Sequence, residues 1–371
     1  MSMLERVKTL LSYTRAKNWY LRYERRIASG SLLFGFIFDA LTLKRVDTLR
    51  ENGWIVINLI IAAVAIILIN RRENKGVDDT GERKEHFWLL NLLQFSFGAL
   101  LGTFVIFYFR SSSLTASWPF MLVLVGAIFA NEYFRKHHSR LVFHASFFYL
   151  CLFSFSIFIV PILIHRIGAW VFFLSGLVSL AVFYYFVRIL ERFSREKIID
   201  PRKPLVRLVG LIFLLFNFFY FTNLIPPIPL SLKDGGIYHS LERLTNNGYL
   251  VGEERRGFFS HFEAFPNIHI LPGQSLYAYS AVFSPANLDT KIVHEWEYFD
   301  ESRNRWVERG RIPLVVSGGS DVGFRTYSVR ENLEVGKWRV DVATPRGQTI
   351  GRMRFEVKFA EVGPEIELKV K

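Results

Sequence analysis

Only one of the 371 residues is a cysteine. Cys151 stands inside a long apolar run, so the C-terminal half contains no disulfide and has to hold together by its own core. The spaced Cys and His ligands of a zinc site are missing as well. His137 and His138 sit beside Arg135 and Lys136, where local positive charge opposes a metal, and no metal or other cofactor is implied. The glycine-rich stretch VSGGSDVG lacks a Lys-Ser/Thr pair and runs into strand-like sequence, which excludes a phosphate loop opening a helix. No catalytic signature replaces these, and the sequence does not specify an enzyme. No Asn-x-Ser/Thr acceptor follows Leu224, which favours a bacterial inner membrane over a eukaryotic secretory route. The first 26 residues are polar and basic with no small-residue cleavage site, so no cleavable signal is expected.

Charge is uneven. Met1 to Leu224 holds 27 Lys or Arg against 14 Asp or Glu, and Ile225 to Lys371 holds 19 of each, so the net +13 lies wholly in the first part. Those cations alternate with hydrophobic runs and the remainder is neutral, which argues against nucleic acid as a partner.

The runs Phe87 to Phe109, Leu114 to Phe134, Leu141 to Ile164, Ile167 to Val187 and Leu205 to Leu224 approach or exceed the ~20 residues that cross a bilayer. Trp54 to Asn70 is slightly shorter, and Ile27 to Leu43 is broken by Asp39. The basic stretches before Ile27 and after Asn70 belong on the same, cytoplasmic side, which demands an even number of crossings between them and makes Ile27 to Leu43 a span. Seven spans with a cytoplasmic N-terminus leave everything after Pro226 outside. The prolines of NLIPPIPL then end the last span, because they cannot donate backbone hydrogen bonds and disfavour helix before them. The organisation expected is a basic N-terminus over 1–26, a seven-span α-helical domain over 27–224, a connector over 225–236 and a periplasmic domain over 237–371.

Beyond the prolines the periodicity becomes alternating. In GKWRVDVATPRGQTIGRMRFEV, Trp338, Val340 and Val342 oppose Arg339 and Asp341. After the turn TPRGQ, Met353, Phe355 and Val357 oppose Arg352, Arg354 and Glu356. Ile350 is out of phase with Met353, so a bulge is expected at Gly351. Upstream, SLYAYSAVFS, KIVHEWEYFD, NRWVERGRIPLVV and VGFRTYSVRE have strand length, and a further hairpin fits around the NNG of residues 246–248. Such spacing predicts an all-β antiparallel sandwich of immunoglobulin type. The segments VHEWEYFDESRNRW, GGSDVGFRTYS and GKWRVDVATPRGQTIGRMRFEV, with NLIPPIPLSLKDGGIYHS before them, resemble the C-terminal module called domain of unknown function 2914, found in bacterial envelope proteins. The resemblance covers roughly residues 219 to 358 and implies no particular activity.

Two sets of residues are candidates for function. Alternation places Glu295, Glu297, Arg339, Asp341, Arg352 and Arg354 on one outward face, either as an anion-binding or docking surface or as a ladder of cross-strand ion pairs. Arg325 is a further cation for such a surface. His294 shares the opposite face with Ile292, Trp296 and Tyr298, where a His beside a Trp could meet a sugar or a carboxylate or be a satisfied core residue. Within the membrane segments Asp39 is costly unless paired, protonated or wet, and Asn91 and His144 could serve it. The expected protein is a membrane-anchored β-sandwich that binds an envelope protein, a glycan or a lipid headgroup. The alternative is a transporter or membrane enzyme with its site around Asp39. The sequence leaves the oligomeric state open.

Overall fold

The computed structural model describes residues 30, 34, 37, 49–73, 82–110, 114–133, 140–193, 202–225, 227, 229–245, 248–255, 263–284, 290–316 and 323–371. Six helices precede eleven strands among these residues. The helices are α1 (Leu49–Glu73), α2 (Glu82–Arg110), α3 (Leu114–Tyr133), α4 (Arg140–Ile164), α5 (Ala169–Phe193) and α6 (Arg202–Phe221). Seven were expected. The missing one is the Ile27–Leu43 span, of which only Gly30, Phe34 and Ile37 are described, each helical, while Asp39 lies outside the described residues. Five helices, all but α3, are long and apolar enough to cross a bilayer. In α3 the described apolar stretch is only Trp118–Ala127.

The chain forms two compact units, one of residues 1–107, 122–157 and 174–215, the other of 108–121, 158–173 and 216–371. In the first, Gly176 of α5 leaves no room for a side chain: a Cβ there would lie 2.8 Å from the Phe213 ring of α6. That small residue lets Phe153 of α4 and Phe213 stack at 5.7 Å beside it.

The second unit carries all the strands: β1 (Ser231–Tyr238), β2 (Ser240–Arg243), β3 (Tyr249–Glu254), β4 (Asn267–Ile270), β5 (Leu276–Phe283), β6 (Thr290–Asp300), β7 (Arg305–Val316), β8 (Phe324–Arg330), β9 (Gly336–Ala343), β10 (Thr349–Phe359) and β11 (Ile366–Val370). They form three sheets ordered β1-β5-β8, β4-β10-β9-β6-β7 and β11-β3-β2. The hairpin expected around NNG is β2–β3. The bulge expected at Gly351 is the register shift between Thr349 and Gly351. One pair, β10 with β4, is parallel, so the region is not purely antiparallel as expected.

Strand alternation explains the two cores. Leu276, Ala278 and Val282 of β5 point at Ile292 and Trp296 of β6, Trp338, Val340 and Val342 of β9 and Phe355 and Val357 of β10, all buried in one cluster. The opposite side of β5 and β1 presents Tyr238, Tyr279 and Ala281, which Tyr249 and Val251 of β3 cover. The three-stranded sheet β1-β5-β8 is therefore apolar on both faces, and β11-β3-β2 is the layer that closes its second one.

The end of α6 is fastened to the β9–β10 turn. Asn223 stops the helix with φ +58, a left-handed conformation that Asn tolerates, while Leu224 and Asn223 donate their N–H groups back to the carbonyls of Phe219 and Tyr220. The turn Thr344–Gln348 places Pro345 at its second position and Gly347 at φ +82, where a side chain would be strained. It presents Arg346 to the helix end. The Arg346 guanidinium donates to the Tyr220 hydroxyl at 2.6 Å and lies 4.8 Å from the centre of that ring. Tyr220 is stacked on Phe172 at 3.9 Å, the Asn223 amide donates to the Arg346 carbonyl, and the Gln348 amide donates to that of Ile225.

Candidate functional site

The outward side of the sheet β4-β10-β9-β6-β7 carries the charges. Register sets Glu295 opposite Asp341 and Arg311, Glu297 opposite Arg339, Arg352 opposite Asp341, and Arg354 opposite Arg339. Across β7, β6, β9 and β10 one row thus reads base-acid-acid-base, from Arg311 through Glu295 and Asp341 to Arg352, and the next acid-acid-base-base, from Glu308 through Glu297 and Arg339 to Arg354. Arg311 lies 3.2 Å from Glu295 and also donates to the Pro345 carbonyl, Arg339 pairs with Glu297, and Arg352 donates to Asp341 through Nε at 2.6 Å. Asp341 is buried by its neighbours although it points away from the core. Burial works against the Arg352 charge, but the hydrogen bond and charge of Asp341, helped by Glu297, hold its pKa above the ordinary value. Burial likewise pushes Glu295 up, partly offset by Arg311.

Arg354 differs from its neighbours. Among the described residues it takes part in no ion pair, and it stands in a row with two guanidiniums that do. Desolvation, then repulsion by Arg352 and Arg339, holds its pKa below the usual arginine value, with Asp341 opposing. Its guanidinium lies 5.8 Å from the centre of the Phe265 ring, and Lys337 lies at the same distance from that ring. Phe265 is stacked parallel to Trp306 at 6.2 Å, Trp306 meets Phe299 at 5.1 Å, and Arg339 lies 4.4 Å over Trp306. The face therefore combines a paired ladder, a cation with no ion-pair partner among the described residues and a half-buried aromatic row.

His294 stands apart from this surface. It is 0% exposed, between the sheets, with Nε2 2.8 Å from the Ser280 hydroxyl and Nδ1 2.8 Å from that of Ser328, which also accepts the Trp296 indole N–H at 3.0 Å. A neutral imidazole has one donor and one acceptor nitrogen, and two hydroxyls satisfy both in either tautomer. Burial lowers its pKa to about 4, so the ring is neutral at physiological pH. Arg325 projects from β8 opposite Ala281, on the sheet β1-β5-β8, and is not brought together with Arg339, Arg352 or Arg354. Asn91 of α2 and His144 of α4 are both buried in the first unit, where Phe97 of α2 lies 6.5 Å from the His144 ring.

Sequence reasoning missed Trp306, Phe265 and Arg311 as parts of one surface. Arg311 could have been found from the β6–β7 hairpin, had the bulge between Trp296 and Glu297 been allowed for. Phe265 carries no such signal, because β4 joins the sheet through a parallel pairing. A second polar place was also missed. Glu254 accepts from the His269 backbone N–H, lies 2.5 Å from His269 Nδ1 and 3.8 Å from His239 Nε2, and borders a cavity of about 340 Å³ with Arg255, Val362 and Glu365. No three potential metal ligands come together among the described residues.

Residues 289–357 match the model of the family described as "Protein of unknown function (DUF2914)". The chain carries a DUF2914 domain. The matched stretch contains β6 to β9 and most of β10, hence every charged residue of the ladder, yet it omits β1, β4 and β5. The DUF2914 stretch is thus part of a larger folding unit, since β5 supplies the other wall of its core. No curated protein matches the chain. Among solved structures, a Listeria innocua β-glucosidase in complex with isofagomine aligns at 13% identity and TM-score 0.20 over 36% of this chain and 16% of its own. The Pseudomonas fluorescens alkylpurine DNA glycosylase AlkC aligns at 9% identity and TM-score 0.20 over 85% of this chain and 100% of its own. At such TM-scores neither bears on fold or activity.

Proposed function

We propose that the protein is an integral protein of a bacterial inner membrane whose DUF2914-containing region stands in the periplasm and binds an envelope partner through an anionic group, on a glycan, a protein or a lipid headgroup. The charge distribution of the N-terminal part supports the orientation, with basic loops cytoplasmic and Pro226 onward outside. The β-region reads as an immunoglobulin-like sandwich. Sheets β1-β5-β8 and β4-β10-β9-β6-β7 follow the strand order of that fold, and the buried Trp296 stands on β6, where such domains keep their core tryptophan.

The observation that carries the binding role is Arg354, a half-buried guanidinium with no acid partner among the described residues, beside Phe265. A hydrogen bond from a charged donor is worth roughly 1.5–3 kcal/mol, about a tenfold change in affinity or more. Intact wild-type protein and Arg354→Gln, purified side by side in mild detergent, should differ by at least about tenfold in the anionic species each retains, as identified by mass spectrometry. Equal retention by both proteins would remove this face as the site.

A further inference from the structure

We infer that β11 is a self-pairing edge, through which two copies of this chain join their β11-β3-β2 sheets into one continuous sheet. Among the described residues no strand pairs with the outer edge of β11. The hydrogen-bond phase of that edge is fixed by its inner side. Lys371 exchanges backbone hydrogen bonds with Tyr249, and the Arg255 N–H donates to the Glu365 carbonyl, so the odd-numbered residues bond inward. The backbone groups of Ile366, Leu368 and Val370 therefore face outward, ready for an antiparallel partner.

The side chains choose the partner and the register. With Leu368 opposite the partner's Leu368, Ile366 meets the partner's Val370, and the three apolar residues, 37%, 61% and 65% exposed in order, form one row across both copies. In that register Glu367 faces the partner's Lys369 and Glu365 faces the partner's Lys371. Every charge meets its opposite. Centring the pair on Glu367 sets it against the partner's Glu367, and centring it on Lys369 sets it against the partner's Lys369. Like charges directly opposite are destabilising. Within one chain Lys369 already spans Glu253 at 3.2 Å and Glu367 at 3.5 Å, so the lysine is held at the edge where the partner's Glu367 would arrive. A lysine alone would guard the edge against pairing; placed two residues from a glutamate, it admits a second copy instead.

The test uses the full chain in mild detergent. Leu368→Cys brings two identical positions to a Cα separation of about 5.5 Å, inside the roughly 4.4–6.8 Å that a disulfide spans. Gentle oxidation should convert most of this variant to a covalent dimer. Val362→Cys, at a more exposed site outside the strand (81%), should stay monomeric, and wild type with its buried Cys151 gives the background. Lys369→Glu should lower the cross-linked fraction of Leu368→Cys about tenfold through the like-charge contact it creates, and adding Glu367→Lys should recover much of it. Equal cross-linking at 362 and 368, no cross-linking at 368, or indifference to the charge reversal would each overturn the inference. The inference does not rest on the anion-binding reading, and neither outcome affects that one.

Discussion

Helices α5 and α6 and the sheet β4-β10-β9-β6-β7 place the same kinds of residue on opposite sides. On the helices Trp170, Phe173, Leu177, Tyr185, Leu211, Leu214 and Phe218 are exposed, and serines such as Ser175 and Ser179 are buried. On the sheet Trp296, Trp338 and Phe355 are fully buried, and arginines and glutamates form the outer side. Burial ordered by hydrophobicity presupposes water as the surroundings. The helices invert that order, and the lengths of their apolar stretches match a hydrocarbon layer. The pattern is compatible with two solvents, hydrocarbon around the helices and water around the sheet.

The largest effect should come from location itself. A reporter active only outside the membrane should work when fused after Pro229 and fail at Lys75 or Lys197, an all-or-none contrast, and activity at Lys197 would break the orientation. Next is Trp338, 1% exposed with its indole N–H bonded to the Glu334 carbonyl at 2.8 Å. Trp338→Ala should cost about 3–5 kcal/mol in denaturant unfolding, since transfer energy is lost and a cavity remains. Arg339→Ala, one residue along and on the outer face, should cost less, about 1–2 kcal/mol, because it loses the charged hydrogen bond to Glu297 and the contact with Trp306 but opens no cavity in the core. A reversal of that order would invert the strand phase.

The two solvents can be compared by one substitution. Leu214→Asp, at an exposed helical site, should cost about 2.5–3.5 kcal/mol of membrane insertion. Val362→Asp, more exposed still but in the β-region, should stay within about 0.5 kcal/mol in folding stability. Equal tolerance would mean that α6 meets water.

A further effect is tied to pH. The His294 pKa is about 4 in the fold against about 6.5 for a free imidazole side chain, so below pH 6.5 the unfolded chain takes up a proton that the folded one refuses. Stability should fall as pH drops from about 6.5 to about 4, by no more than about 3 kcal/mol, and level off below. His294→Asn should remove that part of the slope; an unchanged slope would assign it to other groups.

Much of the β-region was legible because alternation is a local property. Trp338, Val340, Val342, Met353, Phe355 and Val357 fall in the core as their phase predicts, and Arg339, Arg352 and Arg354 fall outside it. Which acid meets which base was not legible, since a bulge in β7 at Arg309 shifts the partner of Glu295 by one residue. The serine cradle of His294 was out of reach for another reason. Ser280 and Ser328 belong to the facing sheet and come from positions 14 and 34 residues away. The third sheet was half visible: β2–β3 announced itself through its turn, whereas β11 pairs with β3 from more than a hundred residues later. In the helical part, hydrophobic length located the segments but said nothing about which of them is central. That α4 is 78% buried along its apolar window and α6 only 28% depends on how the helices pack.

The fastening of Arg346 to the end of α6 has a mechanical meaning. A guanidinium bonded to the Tyr220 hydroxyl and lying over its ring, with Phe172 stacked against the same ring and two amides bonded to backbone carbonyls, resists both twist and tilt. The last turn of α6 and the β9–β10 turn are thus held at several points at once, so Arg346→Ala would remove the hydroxyl and ring contacts to Tyr220 while leaving the two amide bonds in place.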